Sequence, residues 1–120
     1  MTKVLIVDDA AVLRADMKAM ITGMGCEVVA EACNGQEAVQ AYKLYQPDLV
    51  TMDVTMPQMD GITAARSILE HDPAAKIVMC SAMGQQKVVL DAIHAGVKEF
   101  IVRPFDRLRA IESIRNVLAR

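Results

Sequence analysis

Five short runs of apolar residues are separated along the chain by segments whose apolar residues recur at helical spacing. The runs occupy residues 3–7, 26–30, 77–80 and 100–102, together with the segment immediately before Asp53. Continuous hydrophobicity, as opposed to strict alternation, is typical of strands covered on both faces, as in a parallel sheet. The repeated strand-then-helix order therefore predicts an α/β fold with right-handed crossovers and helices on both faces of the sheet.

The ends of the predicted helices carry signals of their own. Asn34 predicts an N-cap that is reinforced by an acid three residues later, and Asp60 and Asp106 predict two further N-caps. Gly23 and Gly96 are expected to end the first and fourth helices, because glycine readily adopts the left-handed conformation found there.

At 120 residues the chain is expected to form one domain, residues 1–120, without a separate effector domain. Its 53% hydrophobic and 23% charged residues are typical of a globular domain. No apolar run approaches the roughly 18 residues that span a bilayer, and no signal peptide is evident, so we expect a cytoplasmic protein without membrane contact. The net charge of −2 argues against direct binding to nucleic acid.

The three cysteines are odd in number and lack a CxxC spacing. Cys26, Cys33 and Cys80 all lie in or near apolar runs. This pattern favours small core residues over a disulfide framework or a metal site. We therefore expect all three in the core.

Polar side chains follow four of the five predicted strands. Asp8 and Asp9 follow the first strand, Asp53 the third, Ser81 the fourth and Arg103 the fifth. If the strand order is 2-1-3-4-5, the first and third strands are neighbours at the topological switch point, where ligands bind in open α/β sheets. The three carboxylates would then share one crevice, with the serine and the arginine along its other side.

Three neighbouring carboxylates repel one another, and a divalent cation would remove that conflict. Oxygen ligands without His or Cys favour Mg²⁺, or Mn²⁺, over zinc. Beside such an ion Asp53 could attack phosphorus, while Ser81 and Arg103 contact the phosphoryl oxygens. Taken singly, each acid can be explained as a helix-start or loop residue, the serine as a polar strand end and the arginine as a surface cation. Their joint placement favours the site.

The sequence resembles the receiver domain of two-component response regulators along its whole length. The matching segments are VLIVDD at 4–9, NGQEA at 34–38, PDLVTMD at 47–53, MPQMDG at 56–61, SAM at 81–83, AG at 95–96 and PF at 104–105. Residues 8–11 and 80–86 look most like stand-alone chemotaxis receivers of the CheY type. The resemblance implies a flavodoxin-like, doubly wound (βα)5 fold with a parallel five-stranded sheet of order 2-1-3-4-5, an order that the alternation of elements does not determine.

The resemblance also implies a role for each residue of the crevice. Asp53 would accept a phosphoryl group from a sensor histidine kinase. Asp9, Asp53 and the backbone carbonyl of Thr55 would hold Mg²⁺, and Asp8 would act through a metal-bound water. Ser81 would be the hydroxyl switch that is drawn toward the phosphoryl group.

Further roles follow from the same resemblance. Phe100 would be the aromatic switch, although a static packing role stays open. It would reshape the surface of the fourth helix, fifth strand and fifth helix, where a downstream target, the flagellar switch or another effector, would bind. Thr55 and Met83 would tune the lifetime of the phosphoryl group. The family implies a monomer that catalyses only its own phosphorylation and dephosphorylation, with a phosphatase as a further partner.

Arg103 departs from the family, which nearly always has lysine before the equivalent of Pro104. Guanidinium is planar and can bind one carboxylate through two donors, whereas ammonium acts as a point charge, so the exchange is not conservative. Arg103 could neutralise the phosphoryl group, hold Asp53 in a fork without phosphate, or misplace the switch that is coupled to Ser81. We expect phosphorylation to survive. The family also implies a cis peptide bond before Pro104.

Two other classes of phosphate-binding protein fit the sequence less well. A nucleotide carrier should have a phosphate-binding loop after the first strand, but residues 8–11 read DDAA, and neither GxGxxG nor GxxxxGK[ST] occurs. A haloacid-dehalogenase-like phosphatase should carry a DxD motif after the first strand, and this chain lacks that motif. A single-domain receiver of another pathway, or a degenerate receiver that acts as an interaction module, remains open.

Overall fold

The computed structural model describes all residues from Met1 to Arg120 and contains five parallel β-strands that alternate with five α-helices. The strands are β1 Lys3–Val7, β2 Glu27–Ala32, β3 Leu49–Met52, β4 Ile77–Ser81 and β5 Glu99–Val102. The helices are α1 Ala11–Gly23, α2 Gly35–Tyr45, α3 Gly61–His71, α4 Gln86–Ala95 and α5 Arg107–Ala119. The sheet order is β2-β1-β3-β4-β5, which confirms the expected flavodoxin-like, doubly wound architecture.

The central strands are buried on both faces, as their continuous hydrophobicity predicts. Leu5 and Val7 of β1 pack into one core, Val4 and Ile6 pack into the other, and all four are at most 2% exposed. Helices α2, α3 and α4 cover the first core, and α1 and α5 cover the second. No helix combines the length and hydrophobicity that crossing a bilayer requires.

The helix starts agree with the sequence signals. Asn34, Asp60 and Asp106 each accept a backbone N–H from the first turn of the following helix, at 2.8–2.9 Å. Each carboxylate or amide oxygen thereby satisfies a donor that has no partner within the helix. These caps determine where the chain turns from a strand end or loop into α2, α3 and α5.

The helix ends agree only in part. Gly96 adopts a φ of 106° and ends α4, as predicted. The prediction for Gly23 was wrong, because Gly23 is the last residue of α1 and Met24 is the C-cap. The Met24 N–H still bonds to carbonyls of the last turn, so the left-handed residue comes later, at Gly25 with a φ of 85°.

The cysteines also differ from expectation at one position. Cys80 is buried, and the half-buried Cys26 packs against the core under α1 and α5. Cys33 belongs to neither core, so its assignment as a core residue was wrong. It follows β2 in the turn into α2, where its thiol donates to Oε1 of Glu37 at 3.2 Å. This hydrogen bond to a carboxylate is the main reason that the pKa of the Cys33 thiol is raised.

Gly61 occupies a position without room for a side chain. A Cβ there would meet the backbone carbonyl of Asp53, and the Gly61 N–H donates to the carbonyl of Val54 at 2.7 Å. We expect Gly61→Ala to lower the free energy of unfolding by about 1–3 kcal/mol, because the loop before α3 must shift to admit the methyl group.

Gly23→Ala is the matched control for this prediction. Nothing lies within 4 Å of a Cβ built at Gly23, so its replacement should be neutral or stabilising by up to about 1 kcal/mol through helix propensity. Urea denaturation of the two variants measures the difference. Equal changes in stability would contradict the steric argument.

Candidate functional site

The pairing of β1 with β3 brings the acidic residues together. Val7 lies opposite Met52 in the parallel ladder, so Asp8 and Asp53 are the next residues along the two strands. The Asp53 N–H donates to the carbonyl of Val7 at 3.1 Å. Carboxylate oxygens of Asp8, Asp9 and Asp53 all lie within 4.8 Å of one another. The structure therefore gathers the three acids that the sequence singled out.

The pairing of β4 with β5 brings Ser81 and Arg103 to the same edge of the sheet. Ser81 lies opposite Val102, and the N–H of Arg103 donates to the Ser81 carbonyl at 2.8 Å. The Ser81 side chain is buried, and its Oγ accepts the N–H of Met83 at 3.1 Å. A hydroxyl that accepts one hydrogen bond keeps its own proton for donation.

Asp8 is the most buried acid of the cluster. Its Oδ1 accepts the N–H of Ala10 at 2.9 Å, and its Oδ2 lies 3.1 Å from Nη2 of Arg103. The second contact is an ion pair without hydrogen-bond alignment, so the buried Oδ2 has no hydrogen-bond donor. Burial above all raises the pKa of Asp8, and the neighbouring acids add to the rise, whereas the Ala10 N–H and the Arg103 charge oppose it.

The guanidinium of Arg103 pairs with Asp8 and not with Asp53. The structure therefore does not contain the fork between Arg103 and Asp53 that the sequence left open. Oδ1 of Asp53 instead accepts the N–H of Val54 at 2.7 Å. The peptide bond between Arg103 and Pro104 is cis, as the resemblance implied.

The remaining predicted residues lie beside this pocket or behind it. The Thr55 hydroxyl donates to Sδ of Met83 at 2.7 Å, which connects the loop after β3 with the loop after β4. Phe100 is half-buried in β5 and packs against the core under α2, α3 and α4. Its rotation as a switch stays a prediction.

Sequence reasoning missed Arg14, which bonds to the acidic turn, the turn after β1 that carries Asp8 and Asp9. Its Nη1 donates to the carbonyl of Asp8 at 2.7 Å, and its Nε bonds to Glu31 at 3.3 Å. Arg14 thus links α1 to β2 and to the residue that begins the acidic turn. An arginine on an amphipathic helix ordinarily indicates a solvated face, and only its place one helical turn into α1 could have suggested this contact.

The donor set fits a hard divalent cation. The cluster contains three carboxylates and no His or Cys, and one of its buried oxygens has no hydrogen-bond donor. Such oxygen-only sets suit Mg²⁺ or Mn²⁺. Asp9 is exposed and Asp53 half-buried, so a bound ion could also keep the water ligands that Mg²⁺ retains in most proteins.

The fold and the pocket together define a class of parallel α/β domains that carry an acidic site at the topological switch point. Residues 4–115 match the family model described as the response regulator receiver domain, and the chain belongs to this family. Its members are signalling proteins and not classical enzymes.

Individual relatives indicate which type of receiver domain this chain resembles. The chain is 57% identical over 116 residues to the chemotaxis protein CheY of Bacillus subtilis, covering 97% of each. It is 56% identical over 115 residues to CheY of Thermotoga maritima, covering 96% of each. A chain of the CheX-CheY-BeF3-Mg²⁺ complex from Borrelia burgdorferi superposes with a TM-score of 0.95 at 38% identity, covering 99% of this chain and 90% of that one. These matches confirm the resemblance to CheY-type receivers.

Asp8→Asn is expected to stabilise the protein in the absence of divalent ions. The raised pKa of Asp8 means that its charged form is disfavoured in the folded state. Asp8 therefore favours folding at low pH, and this contribution is lost as the pH rises through the folded-state pKa. An uncharged amide avoids the loss, so the free energy of unfolding at neutral pH should rise by on the order of 1 kcal/mol.

Urea unfolding in EDTA at neutral and at acid pH measures this effect. The gain should vanish below the ordinary pKa of aspartate, where both proteins carry a neutral side chain. The variant should also lose the stabilisation by MgCl₂, which amounts to about 2.7 kcal/mol at one hundred times the dissociation constant. Glu112→Gln, an exposed change on α5, is the control. If Asp8→Asn is less stable than the unchanged protein at neutral pH, burial of the charged Asp8 carboxylate is not destabilising and the prediction is wrong.

Proposed function

We propose that this protein is the phosphoacceptor of a two-component phosphorelay, that Asp53 is phosphorylated, and that the protein acts in chemotaxis or motility control. The convergence of Asp8, Asp9 and Asp53 into one oxygen-only donor set within 4.8 Å carries the proposal. The full-length similarity to chemotaxis proteins named CheY supports the choice of pathway. A sensor histidine kinase would be the phosphodonor.

Asp53 is the proposed nucleophile. Its Oδ1 accepts the N–H of Val54 at 2.7 Å, which orients the carboxylate and leaves Oδ2 for attack on phosphorus. Mg²⁺ or Mn²⁺, held by Asp9, Asp53 and the Thr55 carbonyl and reached by Asp8 through a water, would neutralise charge on the reacting oxygens.

The other side of the pocket would bind the phosphoryl group. The buried hydroxyl of Ser81 keeps its proton for donation to a phosphoryl oxygen, and the Arg103 guanidinium would add positive charge. The hydrogen bond from Thr55 to Met83 joins the two loops beside the pocket, which supports the proposed effect of both residues on the lifetime of the phosphoryl group.

The surface of α4, β5 and α5 is the proposed docking site for the downstream target, the flagellar switch or another effector. It carries exposed apolar side chains on all three elements: Leu90, Ile93, Val102 and Leu108. Grouped apolar residues at a surface commonly bind other proteins. Gly84, in the loop after β4, lies against the side chain of Val102, so a movement of that loop would displace a side chain of this surface. The related complex of CheX with CheY supports binding to further proteins.

Phosphorylation is testable with acetyl phosphate and MgCl₂. One phosphoryl group should attach to Asp53 as an acid-stable, base-labile adduct, and EDTA should prevent the reaction. Asp53→Asn should abolish it, because an amide is not a nucleophile. Asp48→Asn, at the opposite end of β3, should preserve it. Intact-protein mass spectrometry with peptide mapping measures the adduct.

Three outcomes would contradict the proposal. Catalytic turnover of a generic phosphomonoester would favour a phosphatase, and a folded protein that takes up no phosphoryl group would favour a degenerate interaction module. Labelling that persists in the Asp53→Asn variant would mean that a residue other than Asp53 accepts the phosphoryl group.

Arg103 should permit phosphorylation even though the family nearly always has lysine at this position. Both side chains carry one positive charge, so we expect the protein with Arg103 and the Arg103→Lys variant to reach the same stoichiometry and to differ mainly in rate and in affinity for the target. The same mass assay, followed over time, measures both proteins. Uptake by the lysine variant alone would refute this prediction.

A further inference from the structure

Asp9 is the acid of the pocket whose direction depends on the backbone alone. Asp8 and Asp53 each accept a backbone N–H through one carboxylate oxygen, at 2.9 and 2.7 Å. The Asp9 carboxylate is exposed and makes no hydrogen bond or ion pair within the chain, yet it lies within 4.8 Å of the other two. The backbone that carries Asp9 must therefore be held in place by other contacts.

The peptide unit between Asp8 and Asp9 is held by one side chain. Its carbonyl, which belongs to Asp8, accepts Nη1 of Arg14 at 2.7 Å. Because a peptide unit is planar, a bond that fixes the carbonyl also fixes the N–Cα bond of Asp9, from which the carboxylate projects. The residue before this unit is itself anchored, since the Asp8 N–H donates to the carbonyl of Ala32 at 3.1 Å.

The guanidinium of Arg14 has a fixed position of its own. Its Nε bonds to Oε1 of Glu31 at 3.3 Å, and the Arg14 side chain is only 21% exposed. Glu31 lies in β2, directly opposite Ile6 of β1. The rigid, planar guanidinium thus bridges a strand of the sheet and the acidic turn, and it transmits the position of the strand to the turn.

We propose that Arg14 is a positioning residue of the metal site. By holding the peptide unit between Asp8 and Asp9, it directs the Asp9 carboxylate toward Asp53 and raises the affinity of the pocket for Mg²⁺. This proposal rests on the proposed function and adds to it a residue that touches neither the ion nor the phosphoryl group.

The charge of Arg14 and its positioning role have opposite effects on cation binding. A positive charge near three carboxylates opposes a second cation, so loss of the charge alone should strengthen Mg²⁺ binding. Loss of a residue that orients metal ligands commonly weakens metal binding by about 10–100-fold. The sign of the change in affinity therefore shows which effect of Arg14 is larger.

Isothermal titration calorimetry with MgCl₂ compares Arg14→Met with the matched control Lys18→Met. Lys18 lies on the same helix and contacts the same Glu31 at 3.5 Å, but it makes no contact with the acidic turn. Each variant loses one positive charge and keeps a good helix former. The dissociation constant for Mg²⁺ should rise about tenfold in Arg14→Met. In Lys18→Met it should stay unchanged or fall by less than about threefold.

A second measurement tests the position of Asp9 without an ion. In EDTA, the NMR order parameter of the Asp9 backbone amide should be about 0.85 in the unchanged protein and in Lys18→Met, as for a rigid backbone. It should fall to about 0.6 or below in Arg14→Met, because the peptide unit has lost its only hydrogen bond. Urea denaturation of each variant first establishes that it is folded.

Arg14→Lys replaces Arg14→Met if the methionine variant does not fold. It keeps the positive charge but not the rigid fork that reaches both the Asp8 carbonyl and Glu31, so the dissociation constant should rise by about threefold or more.

The outcomes separate this proposal from the one on which it rests. An affinity for Mg²⁺ that is unchanged or higher in the folded Arg14 variant, or an Asp9 amide that stays as rigid as in Lys18→Met, would overturn the positioning role. In that case the unchanged protein still binds Mg²⁺ and is still phosphorylated on Asp53. An unchanged protein that binds no Mg²⁺ would overturn the metal site itself, and with it both proposals.

Discussion

Parallel pairing of β1 with β3 forces negative charges into neighbouring positions at one edge of the sheet. The ladder that sets Val7 opposite Met52 continues into Asp8 and Asp53, and Asp9 follows directly. Two backbone N–H groups and one guanidinium contact the carboxylates of Asp8 and Asp53. One cation cannot balance three anions, so the pocket retains an excess of negative charge that favours a divalent ion. The same charge would oppose the approach of an anionic phosphodonor without that ion.

The two sides of the pocket are held differently. On the β3 side, Gly61 packs against the backbone of Asp53, and the N–H of Gly35 donates to the Met59 carbonyl at 3.1 Å, so the loop after β3 is clamped between two helices. On the β4 side, the loop after Ser81 contacts its surroundings through side chains: Met83 bonds to Thr55 and packs against the core, and Gly84 lies against Val102. Backbone contacts to two helices thus hold the loop beside Asp53, whereas side-chain contacts hold the loop beside Ser81. Through Gly84 and Val102 that segment also contacts the proposed docking surface of α4, β5 and α5.

Local features of the sequence predicted the local structure well. Continuous apolar runs identified the five strands, and Asn34, Asp60 and Asp106 identified helix starts, because both signals depend only on neighbouring residues. The strand order could not be derived in this way, since the same alternation of strands and helices is compatible with several sheets, and it came from the family resemblance. Cys33 and Arg14 were missed for a related reason. Their contacts with Glu37, Asp8 and Glu31 depend on how side chains meet after the strands have paired.

The choice of Asp8 as the partner of Arg103 follows from burial. A carboxylate that is shielded from water gains more from a nearby cation than one that is half exposed, and Asp8 is the more buried of the two acids beside the arginine. The consequence concerns Asp53. A guanidinium fork on Asp53 would bond to both of its oxygens and make them weaker nucleophiles, whereas pairing with Asp8 reduces the repulsion inside the pocket and leaves Asp53 exposed to solvent on one side. A planar cation can therefore stand beside Asp53, the proposed nucleophile, without blocking it, because the more deeply buried carboxylate of Asp8 binds the cation.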